Sequence, residues 1–104
     1  MPPRDKLVGL EEAVAGLIRD GDMVAMTAEM DAVPMAVVRE MVCARKRDLR
    51  LVGLPGGGIG WDLLIGAGCV AEVEVCHLSL GAWGPAPNFK RYVEGGRLKI
   101  KDNT

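Results

Sequence analysis

Four glycines in five positions, Gly56, Gly57, Gly58 and Gly60, follow an aliphatic run and precede Trp61 and Asp62 in the stretch PGGGIGWDLLIGAG. Glycine has no Cβ, so such a cluster marks backbone that turns sharply or lies close to another group. Where a glycine loop meets a helix N-terminus, its bare N–H groups suit an anion or a carbonyl oxygen. A tight strand-to-helix turn with no ligand fits the same residues. Two phosphate-binding loops are excluded. A dinucleotide fingerprint needs glycines at i, i+2 and i+5, but the third position is Trp61 counted from Gly56 and Leu63 counted from Gly58, and no Gly-Lys-Ser/Thr follows.

Other side chains able to do chemistry gather nearby in sequence order. Ser79 is placed to donate a hydroxyl to a substrate oxygen rather than to act as a nucleophile. Glu29 lies in a loop after a strand, where a desolvated carboxylate can be nucleophilic and a solvated one is inert. Trp61 and Trp83 can stack on a ligand or cover the core beneath a loop. Cys76 and His77 are adjacent, and on a strand adjacent side chains point to opposite faces. That geometry rules against a shared metal ion or a Cys/His nucleophilic pair and leaves the cysteines as packing residues. With one histidine in the chain, no metal site is expected.

These residues need elements to position them. Leu10, Val14, Leu17 and Ile18 make one helical stripe, with Glu11 and Glu12 in the first turn and Gly21-Asp22 as the stop. Met23 to Thr27 reads as a short buried strand. Pro34 suits the first position of a helix that runs through Ala44 and buries Val37, Val38, Met41 and Val42. The strand LRLVGL leads into the glycine loop, Asp62 caps a short helix carrying Leu63, Leu64 and Ile65, and Gly66 and Gly68 end it. In CVAEVEVCHLS, Ala71, Val73 and Val75 alternate with Glu72 and Glu74, as expected of a strand with one more exposed face. A helix at NFKRYVEGG, with Phe89, Tyr92 and Val93 on one side, and a strand RLKIK complete the pattern.

Strands alternating with helices predict an α/β fold with an open, mainly parallel sheet and crossover helices. Ligands of such sheets bind beyond the carboxyl ends of the strands. Those ends hold Thr27 to Asp31, Pro55 to Trp61, and His77 to Trp83. Thirteen Lys and Arg nearly balance fourteen Asp and Glu among 104 residues, so no broad field attracts nucleic acid or an anionic membrane. The length fits a single domain. The three cysteines form no CxxC, and the N-terminus lacks the apolar core of a signal peptide, which predicts a reduced, cytoplasmic setting.

The order EEAVAGLIRDGDMVAM, VPMAVVREMV, DLRLVGLPGGGIGWDLLIGAGCV and FKRYVEGGRLKI resembles the alpha (A) subunit of family I coenzyme A transferases, including that of glutaconate CoA-transferase, and related acyl-CoA ring-opening hydrolases. The likeness spans nearly the whole chain. It is sharpest at Gly57 to Gly68, with support from Glu94-Gly95-Gly96-Arg97-Leu98. The resemblance implies a CoA-transferase-like, Rossmann-related fold that holds no permanent cofactor and takes a coenzyme A thioester and a carboxylic acid as substrates. It also implies a beta-type partner whose glutamate forms the acyl anhydride and then the glutamyl-CoA thioester, so that this chain is inactive alone. Gly56, Gly57, Gly58, Gly60, Trp61 and Ser79 would then surround the acyl or CoA portion in an oxyanion-type role.

Two departures stand out. Ala28-Glu29-Met30 occupies the place where many members carry Gly-Gly-aromatic, and family alpha subunits continue beyond the point where this chain ends. Residues 1–104 therefore read as a single domain forming the N-terminal part of a longer family domain. A sheet cut short in this way is expected to expose an apolar edge and face, making the chain self-associate or join a hetero-oligomer. The alternatives to a transferase role are a subunit of a hydrolase and a non-catalytic assembly fragment.

Overall fold

The β-branched and leucine-rich runs form strands and the spaced apolar residues form helices, in strict alternation. A computed structural model describes residues 5–26, 32–53 and 56–102. The elements are α1 (Leu10–Leu17), β1 (Met23–Ala25), α2 (Met35–Cys43), β2 (Leu49–Val52), α3 (Ile59–Gly66), β3 (Val70–Val75), α4 (Pro87–Glu94) and β4 (Lys99–Asp102), with a 3-10 turn at Gly81–Trp83 before α4. The four described strands pair in parallel, in the order β1-β2-β3-β4. The α/β open parallel sheet expected from the sequence is the fold observed. Because strand order equals chain order, right-handed crossovers lay α2, α3 and α4 along one face. The helices pack in sequence, α1 on α2, α2 on α3 and α3 on α4.

Register sorts the sheet into two kinds of row. Val24, Leu51, Val73 and Ile100 align across the four strands, and Leu51 and Val73 are buried beneath the helices. The alternate rows carry Met23, Arg50, Glu72 and Lys99, then Ala25, Val52, Glu74 and Lys101. Glu72 Oε1 lies 3.5 Å from Lys99 Nζ and 3.8 Å from Lys101 Nζ. The face away from the helices is thus largely charged, which corrects the expected apolar face: period-two alternation sends the charges to one side and the aliphatics to the other. The large apolar side chains left exposed are spread over several elements: Leu7, Val8, Leu10 and Leu17 in and before α1, Met23 on β1, Ile59 on α3, Trp83 on the 3-10 turn and Ile100 on β4.

Three local expectations change. In β1, Met23 is 56% exposed, because it aligns with Arg50 on the sheet face away from the helices, and β1 is the edge strand among the described residues. In α1, which ends at Leu17 rather than at Gly21, only Val14 of the apolar stripe is fully buried. In β3, Val73 and Val75 point inward as expected, but Ala71 is exposed and Val70 is buried. The pairing explains it. Leu49 aligns with Val70 and Arg50 with Glu72, so Ala71 falls outside the ladder as in a β-bulge.

The centre of the core is Trp61, Leu64 and Ile65 of α3, Val38 and Met41 of α2, and Leu49, Leu51 and Val73 of the strands. α3 ends as predicted at Gly68, which has φ +79°; Gly68 N–H reaches Ile65 O and Cys69 N–H reaches Leu64 O, the paired bonds of a Schellman motif. Its start differs from prediction. Gly58 is the N-cap, and Asp62 sits inside the first turn, 5% exposed. The Asp62 carboxylate caps α4 instead: Oδ1 accepts Phe89 N–H at 2.7 Å, and Oδ2 accepts Asn88 N–H at 3.4 Å and Asn88 Nδ2 at 3.2 Å. The first turn of α4, behind Ala86 and Pro87, has no capping side chain of its own, and a buried anion at that positive helix end satisfies its N–H groups. Gly66 leaves room for this link, since a Cβ there would lie 2.4 Å from Asn88 Nδ2.

Candidate active site at the carboxyl edge of the sheet

Beyond Val52 the chain stays beside β3 instead of leaving it. Gly53 N–H donates to Glu74 O at 2.9 Å, Gly57 N–H donates to His77 O at 3.0 Å, and Ser79 N–H donates to Gly57 O at 3.2 Å. Gly57 and Leu78 form a parallel bridge, and Ser79 bridges antiparallel to Pro85. The glycine loop and the His77 to Ser79 segment, distant in sequence, are therefore one layer of backbone at the carboxyl edge.

That layer is too tight for side chains. A Cβ at Gly57 would stand 2.1 Å from Trp61 Cδ1 and 3.1 Å from Leu78 Cγ; one at Gly56 would stand 2.6 Å from His77 Cε1; one at Gly60 would stand 3.0 Å from Val33 Cγ1. Gly56, Gly57, Gly58 and Gly60 are all buried, while Ile59 between them is exposed. Close approach is real, and within this chain it is to the chain's own Trp61, His77, Leu78 and Val33. The Gly57 amide is committed to His77 O. The amides of Ile59, Gly60 and Trp61 lie in the first turn of α3, ahead of the first intrahelical bond, Asp62 N–H to Gly58 O at 3.0 Å, and Gly58 brings no side chain to cap them.

Ser79 is half-buried, and its Oγ accepts Gly81 N–H at 3.3 Å. Trp61, expected to be a ligand-stacking residue or a core residue, is 0% exposed and belongs to the core, so it offers no face to a ligand here. Its Nε1–H has no hydrogen-bond partner among the described residues, a buried donor whose isolation costs about 1–3 kcal/mol. Trp83 is 85% exposed on the 3-10 turn. Glu29, with Ala28 and Met30, lies outside the described residues, as do Leu54 and Pro55.

One exclusion drawn from the sequence fails. β3 ends at Val75, so Cys76 and His77 follow a bend and not a pleat. Their side chains meet, with Cys76 Sγ 3.2 Å from His77 Nδ1, and both residues are exposed. The opposite-face argument applies only while the strand continues. The histidine ring is held where Gly56 has no side chain. Cys69 contrasts with this thiol: it is 3% exposed, and burial pushes its pKa up, with Arg47 opposing in part. Among the described residues no three His, Cys, Asp or Glu side chains gather as a metal cluster.

A separate cleft of about 300 Å³ is lined by Leu78, Pro85, Ala86, Phe89, Val93 and the flanking Lys90 and Glu94. None of the loop glycines lines it. It is a groove along α4 that shares only Leu78 with the glycine-loop layer.

Residues 8–102 match the family model described as Coenzyme A transferase. The chain belongs to the coenzyme A transferase family. It is 35% identical over 82 residues to the A-subunit of the 3-oxoadipate CoA-transferase of Pseudomonas knackmussii, covering 79% of this chain and 27% of that protein. The solved glutaconate coenzyme A-transferase of Acidaminococcus fermentans superposes with a TM-score of 0.89 at 28% identity, over 96% of this chain and 32% of the other. The decarboxylase AibA/AibB, solved as a cysteine-to-serine variant, superposes with a TM-score of 0.80 at 36% identity, over 93% of this chain and 38% of the other. This member of the coenzyme A transferase family thus spans about a quarter to two fifths of the length of these relatives. Among the described residues no helix is long and apolar enough to cross a membrane.

Proposed function

We propose that this chain is the alpha-type portion of an acyl-CoA:carboxylate CoA-transferase, shaping the acyl and CoA pocket while a beta-type partner supplies the catalytic glutamate. The supporting observation is the glycine-loop layer itself, in a chain of this family: backbone at the carboxyl edge of β2 and β3, joined to the start of α3, whose N-cap residue Gly58 carries no side chain. Acyl transfer through an anhydride places negative charge on a carbonyl oxygen, and main-chain N–H groups fixed at a helix start stabilise such charge without reorganising. Gly58 and Gly60 serve this reading through the amides of the first α3 turn, and Gly56 through the close approach it permits. Ser79 serves as a hydroxyl donor, since an oxygen that accepts one N–H keeps its own proton to give. Gly57 contributes by locking the loop to His77, and Trp61 by filling the space beneath it. Removing one working oxyanion donor costs about 2.7–4 kcal/mol of barrier. The ligands are a coenzyme A thioester and a carboxylic acid, the setting is cytoplasmic, and the chain acts in a hetero-oligomer or, lacking its partner, self-associates through apolar side chains left exposed in and before α1, among them Leu7, Val8, Leu10 and Leu17.

A second reading rests on identity: the likeness to a protein named a decarboxylase is 36%, against 28% for the glutaconate transferase. In that reading the fold is retained and no acceptor acid takes the CoA, as also holds for a ring-opening hydrolase. Co-expression with a beta-type chain, then acyl-CoA and borohydride, separates the readings. Reductive trapping on the partner's glutamate supports the transferase. Consumption of acyl-CoA without trapping supports the second reading, trapping on Glu29 reverses the assigned roles, and no acyl-CoA turnover or binding leaves only an assembly fragment. A monodisperse, cooperatively melting monomer in sedimentation would refute the need for a partner.

A further inference from the structure

We propose that Cys76 and His77 form a thiol–imidazole pair that accepts an acyl group from a thioester. Three observations meet at this point. The Sγ and Nδ1 atoms are 3.2 Å apart, within hydrogen-bond reach for sulfur. Both residues are exposed, so an electrophile can reach the sulfur. The pair also sits at the end of β3, directly against the glycine-loop layer: Gly57 N–H binds His77 O, and the absence of a Cβ at Gly56 makes room for the imidazole. The other two cysteines lack this setting. Cys43 is exposed at the end of α2 and Cys69 is buried.

The thiolate is the nucleophilic form of cysteine, and a histidine at hydrogen-bond distance supplies it by taking the proton. In the tautomer that carries its proton on Nε2, the imidazole offers Nδ1 as the acceptor. The step balances without an added oxidant or reductant. Cys76 Sγ–H gives its proton to His77 Nδ1, Sγ bonds to the thioester carbonyl carbon, the carbon–sulfur bond to the departing thiol breaks, and that thiolate takes the proton back from His77. The product is an acyl-Cys76 thioester and a released thiol. Its occurrence with coenzyme A thioesters rests on the pocket reading given above; the reactivity of the pair itself does not.

The test uses the full chain with two acyl donors, acetyl-CoA and the small thioester S-acetyl-N-acetylcysteamine, followed by peptide mass mapping over time at neutral pH. Cys43 is the internal reference for an exposed thiol at a helix end. The expected result is acetylation of Cys76 several-fold faster than of Cys43 by the small donor, reduced to the Cys43 rate in His77→Asn and absent in Cys76→Ser. The same ranking is expected for alkylation by iodoacetamide, and unchanged circular dichroism of the variants shows that folding is not the cause. Equal rates at Cys76 and Cys43, or a rate indifferent to His77→Asn, overturns the proposal. If the small donor acetylates Cys76 and acetyl-CoA does not, the pair stands and the coenzyme A pocket reading fails.

Discussion

α1 and α3 have the same length, eight residues, and opposite fates. By pattern α1 is the better amphipathic helix, with Leu10, Val14 and Leu17 along one side and two acids in its first turn. Yet Leu10 is 41% and Leu17 is 79% exposed, and only Val14 is fully buried. α3 is glycine-rich with a weak apolar stripe, and Gly60, Trp61, Asp62, Leu64 and Ile65 are all buried. The difference is position in the layer. α3 lies between α2 and α4, whereas α1 packs against α2, at the outside of the helix row. An apolar stripe says that a helix can be covered; it does not provide the neighbour that covers it.

Substitutions in the two helices test this directly. Trp61→Ala is expected to have the largest effect, a loss of about 3–5 kcal/mol in denaturant unfolding, because a fully buried ring leaves a cavity beneath the glycine loop. Trp61→Phe loses less, since it keeps much of the ring and deletes the buried N–H that has no acceptor among the described residues. Leu64→Ala is expected to cost about 2–5 kcal/mol by the same measurement. Asp62→Ala removes a charged cap shared by two backbone amides of α4, for about 0.5–2 kcal/mol, with hydrogen exchange accelerated at Asn88 and Phe89 before anywhere else. Leu17→Ala is expected to stay within about 0.5 kcal/mol of the parent chain. Equal costs for Leu64→Ala and Leu17→Ala would show that α1 is covered by a further segment or partner, and would remove the contrast.

The same logic separates what the residues announced at the candidate site from what they hid. The glycine cluster was legible because only glycine tolerates backbone against Trp61 and His77 at such distances. The partners of that backbone were not legible: the bridge from Gly57 to Leu78 is a tertiary pairing with no local signal. The meeting of Cys76 with His77 is not legible either, because strand alternation stops at Val75 and one bend cancels the opposite-face geometry. Asp62, expected to cap α3, caps α4 for a related reason. A signal existed, though. Ala86-Pro87 begins α4 without a capping side chain, so its N–H groups had to borrow an acceptor from elsewhere, and the acid inside a neighbouring buried helix is the acceptor they found.

By itself the sequence determined the alternation of strands and helices, the inward positions Val73 and Val75, the stop at Gly68 and the site of close backbone approach. These follow from local sterics and from hydrophobic periods of two and about 3.6 residues, which are properties of consecutive positions. Only the tertiary structure decided that Ala71 leaves the ladder, that the bare face of the sheet is charged, that α1 stays largely exposed, that Asp62 holds α4 and that a thiol meets an imidazole beside the glycine loop. Each of those depends on which element lies next to which, and burial and hydrogen bonding between distant segments are settled only when the layers pack.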